Sequence, residues 1–171
     1  MKALIVALII SLLALGQVQA EGLANQDRLN EVANRGRDVM PFSLEKTTHL
    51  FSKTAKGGIQ QVIAKDHSDG GQIKLIREHL FKISQAFKRG NFSDPIKIHG
   101  ENMPGLAELT KAKPDRLNIC YEALPNGGQV TYSTEDPKLV RAIQDWFDAQ
   151  LSEHASHAMP GHDHHFMHSK P

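Results

Sequence analysis

The chain has 171 residues, 20 Lys and Arg against 19 Asp and Glu, 40% hydrophobic residues and a single cysteine. Near-neutral charge argues against a general nucleic-acid binder, which needs a basic surface to displace counterions. One cysteine rules out an intrachain disulfide and any two-cysteine redox or zinc motif, and the length suits one domain with one core.

Lys2 precedes an apolar run from Ala3 to Leu15, and Val18 and Ala20 supply the small residues of a signal-peptidase site. Cleavage is expected after Ala20, because the run is shorter than the ~20 residues that span a bilayer. The expected location is periplasmic or secreted, with no membrane attachment once residues 1–20 are removed. Loss of Lys2 leaves equal numbers of basic and acidic side chains. No later segment is long and apolar enough to cross a membrane.

Residues 21–40 are polar, with Leu23, Leu29 and Val32 too sparse for a firm amphipathic face, and read as a mobile leader. The single domain is expected over 41–153. Thr47 to Thr54 is rich in β-formers, Lys56-Gly57-Gly58 signals a turn, and Ile59 to Ala64 resumes a strand, which predicts a hairpin. Breaking and capping residues follow from Asp66 to Gly71. Ile73, Ile76, Leu80, Ile83 and Phe87 then fall on one helical stripe that Gly90 ends. A loop through Asp94-Pro95 and His99-Gly100 leads to a short helix near 105–111.

Leu117 to Leu124, Pro125-Asn126-Gly127-Gly128 and Gln129 to Thr134 predict a second hairpin, with Asn-Gly at its turn. Pro137 suits the first turn of a helix carrying Leu139, Val140, Ile143, Phe147 and Leu151. Cys120 alternates with Ile119 and Tyr121 and reads as a small strand residue, or otherwise as a thiolate ligand for a soft metal. The spacing from Gly57-Gly58 to Asp66 recurs from Gly127-Gly128 to Asp136. The expected fold class is therefore α+β: two ββα repeats forming an antiparallel sheet with helices packed on one face.

Residues 154–171 hold six of the ten histidines and read as a flexible His/Met-rich tail. His154, His157, His162, His164, His165 and His168 offer imidazoles for copper, zinc or nickel, and Met159 and Met167 add thioethers suited to cuprous copper. In the expected domain, His49 overlays Ile119 of the second repeat and His79 overlays Ile143, so both occupy positions that the other repeat gives to the core. A half-buried imidazole needs a partner or a metal. His99 and Met103, in His99-Gly100-Glu101-Asn102-Met103-Pro104-Gly105, form a further candidate pair for Cu(I) or for axial haem ligation. Covalent haem is excluded by the lack of Cys-x-x-Cys-His. No hydrolase elbow, phosphate loop or zinc-protease helix motif occurs.

Arg37-Asp38-Val39-Met40-Pro41-Phe42, Thr47-Thr48-His49-Leu50-Phe51, Ile98-His99-Gly100 with Met103-Pro104-Gly105, and Trp146-Phe147-Asp148-Ala149-Gln150-Leu151 resemble a family of uncharacterised secreted bacterial proteins. Its members are often labelled aspartate carbamoyltransferase, and the likeness covers about residues 37–158. The enzyme of that name carries Ser-Thr-Arg-Thr and His-Pro-x-Gln motifs. Neither occurs here, so the resemblance implies export and carries over no catalytic residues.

The leading expectation is a periplasmic metal-binding protein, with copper as the favoured ion, using His49, His79, His99 and Met103 in the domain and the tail as a collector. The alternatives are an envelope module that binds a protein partner with incidental histidines, and an enzyme with an unrecognised site. Non-covalent haem is a variant of the first.

Overall fold

The computed structural model describes residues 25–161. Its elements are α1 (Gln26–Val39), β1 (Thr47–Thr54), β2 (Gly57–Ala64), α2 (Gly70–Lys88), α3 (Ser93–His99), α4 (Leu106–Leu109), β3 (Asn118–Leu124), β4 (Gly127–Ser133), α5 (Pro137–His154) and β5 (Ala158–Pro160). The α+β class is as expected. Both hairpins form, and the five strands run β3-β4-β2-β1-β5, with β2 and β4 paired antiparallel at the centre. Among the described residues no helix is long and apolar enough to cross a membrane.

Alternation sets the two faces of the sheet. Thr47, His49 and Phe51 of β1, Gly58, Gln60 and Val62 of β2, Val130 and Tyr132 of β4 and Ile119 of β3 are all buried on the helix side. Cys120, on the opposite face of β3, is exposed and free. The two long helices cross over. Helix α2 packs chiefly against β3 and β4, and α5 against β2 and β1, so each repeat covers the other's hairpin. This exchange places Ile76, Leu80, Ile143 and Phe147 in one core, each 1% exposed or less.

The turn glycines make the close approach possible. A Cβ on Gly58 would overlap the Phe147 ring of α5, and one on Gly128 would stand 3.1 Å from Leu80 Cδ1 of α2. The glycine pairs that mark the repeat in sequence are therefore also the points where each helix seats.

Three segments differ from expectation. Residues 26–39, read as part of a mobile leader, form α1, capped by the Asn25 side chain on Arg28 N–H and docked by buried Val32 and Gly36. Too few of its residues are apolar to announce a helix, because much of its attachment is ionic and reaches far along the chain: Arg28 binds Glu153 through two guanidinium nitrogens. Residues 93–99, read as loop, form α3, with Asp94 in its first turn and Gly100 ending it at φ 86°. The supposed tail starts too early at 154. His154 is the last residue of α5 and is buried, and β5 adds to β1 in parallel with Ala158 opposite His49. These residues stay in place through backbone pairing to the β1 edge, which composition does not reveal. Residues 1–24, which include the expected export segment, and 162–171 lie outside the described residues.

If Gly58 is kept bare for Phe147, Gly58→Ala should destabilise the fold by about 1–3 kcal/mol, the usual cost of overpacking. Gly70→Ala, where nothing lies within 4 Å of the new methyl, should be neutral or slightly stabilising. Urea melts of the two variants check the contrast.

Candidate functional site

Between β1, α2, α3 and the last turns of α5 lies a cavity of about 50 Å³. That is room for a few water molecules or one coordinated ion. His49, His79, His99 and His154 all line it, beside Trp146 and Gln150. Four histidines from four separate elements thus meet at one place.

Each imidazole arrives by simple geometry. His49 follows the inward alternation of β1. His79 lies on the buried face of α2, one turn below Ile83. His99 ends α3, and His154 continues the series Trp146, Gln150, His154, which recurs every four residues along one side of α5. The His49 and His154 rings are 5.3 Å apart between centres and nearly parallel, at 15°. His99 meets His154 edge-on with centres 5.0 Å apart. His79 stands apart from this row, with Phe42 5.6 Å from it and 5.9 Å from His49.

The polar atoms of the cavity are incompletely satisfied. His49 Nδ1, Trp146 Nε1 and Gln150 Oε1 are buried without a hydrogen-bond partner. The His49 ring bonds the backbone of His157. An imidazole meeting a carbonyl donates, so Nε2 carries the proton and Nδ1 keeps a free lone pair. His99 Nδ1 lies 2.6 Å from Glu153 Oε2, and Arg28 braces the pair by binding both the Glu153 carboxylate and the His99 carbonyl, the latter at 2.6 Å. The carboxylate orients the ring through Nδ1, which turns Nε2 away from Glu153. Burial pushes Glu153 up, but the bonds from His99 and Arg28 outweigh it and hold the carboxyl below its ordinary range.

Desolvation favours the neutral form of His49, His79 and His154. It lowers His49 and His79 to about 4, with neighbouring imidazoles adding to the effect at His49 and Lys82 at His79, while Asp94 opposes it at His79. His154 is also pulled well below its ordinary value by burial, and by the nearby His49, His99 and His157. Neutral imidazole is the form that ligates a metal or acts as a base.

Of the other expected ligands, Met103 is buried but is not part of the cavity wall, and Met159 is exposed on β5. His157 lines an adjacent cavity. His162, His164, His165, Met167 and His168 lie outside the described residues. Among the described residues no three His, Cys, Asp or Glu side chains are already disposed as a metal cage. As packed, the space also has no room for a porphyrin. Trp146, Gln150, Glu153 and Arg28 were not expected as site residues. Gln150 and His154 were visible as polar positions four apart on the inward side of a strong helix, whereas the Arg28–Glu153 link spans most of the chain.

Comparison with protein-family models, with curated proteins and with solved structures found no match to this chain. The cavity itself therefore carries the functional argument.

The histidines make stability acid-sensitive. As pH falls through about 6.5 the unfolded imidazoles take up protons, while folded His49 and His79 do so only near 4. The unfolded state then binds more protons, so their contribution is intact above about 6.5, declines toward 4 and levels off below. The expected loss is on the order of 3 kcal/mol for each of the two groups. Urea melts from pH 7 to 4 should show this decline, and His49→Gln should make it shallower. A stability independent of pH over that range would contradict the buried neutral state.

Proposed function

We propose that this is an exported metal-binding protein whose folded site lies in the histidine cavity, with copper the favoured ion and zinc or nickel the alternatives. The observation that carries the reading is the row His49, His154, His99. Its members are buried around one small space, with His49 Nδ1 unpartnered and the His99 ring held through Nδ1 by Glu153. Unpaired buried polar atoms cost about 1–3 kcal/mol each, a cost that a bound ion removes for an imidazole nitrogen.

Spacing supports the same reading. Two imidazoles whose nitrogens each sit roughly 2.0–2.1 Å from a shared ion have ring centres about 5 Å apart, close to the 5.3 and 5.0 Å of the two ring pairs. The His99–Glu153 pair has the form of the outer-shell carboxylates that orient metal-bound histidines. Imidazole donors suit copper, and zinc and nickel as the alternatives.

The test uses the full chain with His162, His164, His165 and His168 changed to Asn, which removes the competing imidazoles. It should retain one tight site for copper by competition titration. Adding His49→Gln and His154→Gln should weaken that site at least about tenfold, the equivalent of 1.4 kcal/mol, with unchanged circular dichroism. A folded tail-substituted chain that binds no copper, zinc or nickel above background would overturn the proposal.

A further inference from the structure

Two larger spaces adjoin the histidine cavity, and they differ in charge. One, about 360 Å³, shares Val39 and Asp94 with it and is rimmed by Arg35, Lys82 and Lys97 against Asp38 and Asp94. The other, about 210 Å³, lies between α1 and the turn from α5 into β5. It shares His154 with the histidine cavity, and its wall also includes Glu153, His157 and Ala33, with no lysine or arginine.

His157 is placed as an inner lip of the second space. Its Nε2 faces the Glu45 carboxylate at 3.4 Å, and that carboxylate is 81% exposed. Its Nδ1 is buried with no partner. An acidic group in solvent, a half-buried imidazole and then a shared buried imidazole form a graded series of donors. A cation is attracted at such a mouth and repelled by a rim where basic groups predominate.

We infer that the space beside α1 is the entry path for the metal ion, with His157 as the first imidazole inside the mouth and His154 as the wall through which the ion passes to His49 and His99. The inference rests on the metal-binding reading and adds a route to it. An entry residue changes arrival and departure alike and leaves the equilibrium nearly unaltered, whereas a ligand of the final site changes affinity.

The experiment follows uptake of Cu(I), supplied from a weak chelator complex, by the full chain with the four tail histidines replaced. His157→Gln, and separately Ala33→Phe to fill the path, should slow uptake about tenfold or more while changing equilibrium affinity by less than about twofold. Two variants acting by different means guard against one folding poorly, and circular dichroism monitors both. Unchanged rates in both would overturn the route, as would acceleration by Lys82→Glu alone, which points to the charged rim. A large loss of affinity in His157→Gln would make His157 a ligand of the site and overturn its role as a way-station. If the parent chain takes up no metal at all, the metal-binding reading itself fails, an outcome distinct from the others.

Discussion

The seating of α5 on bare backbone at Gly58 is the constraint on which the rest of the structure depends. Phe147 lies over that glycine and Ile143 over Gly57, which fixes both the height and the direction of the helix on β2. From there the helix runs on past the β1 side of the sheet, carrying Trp146, Gln150 and His154 inward. Phe147 and Ile143 fill the space beneath the first half of the helix. Beneath the second half, Trp146, Gln150 and His154 line a gap, and that gap is the histidine cavity.

The cavity is costly as built. Several polar atoms are buried without partners and three imidazoles are held far from their ordinary titration range. A domain tolerates such a feature when the surrounding core is secure, and here the Trp146 indole is boxed by Phe87, Phe92 and Tyr132 within about 6 Å. Glu153, bonded to both Arg28 and His99, joins three helices. It receives Arg28 from α1 and His99 from α3 while standing on α5 itself. Orientation of His99 and attachment of the first helix are thus a single electrostatic arrangement. A substitution at Arg28 reaches the cavity without touching it.

The edge of the sheet completes the enclosure. β1 would otherwise present open backbone beside His49, and an unpaired edge invites pairing with other chains. β5 covers it with three residues, and the same short segment brings the His157 carbonyl to the His49 ring. The site is therefore closed by the stretch where the chain turns from α5 to β5, at Ala155 with φ 42°, a conformation uncommon for a residue with a side chain.

Much of the frame was legible in the linear order of residues. Glycine turns between β-rich runs located both hairpins, and apolar spacings of three and four located α2 and α5, because these features depend on local periodicity alone. Repeat alignment also exposed His49 and His79 as imidazoles in core positions, since their counterparts Ile119 and Ile143 are buried. Tertiary structure alone decided that α1, α3 and β5 form, that each helix covers the opposite hairpin, and that His99 and His154 join His49 while Met103 does not. Those outcomes rest on contacts between residues far apart in the chain, such as Arg28 with Glu153 and Ala158 with His49. A short polar segment has no pattern of its own to signal them, because the energy that orders it resides in a partner that only folding brings near.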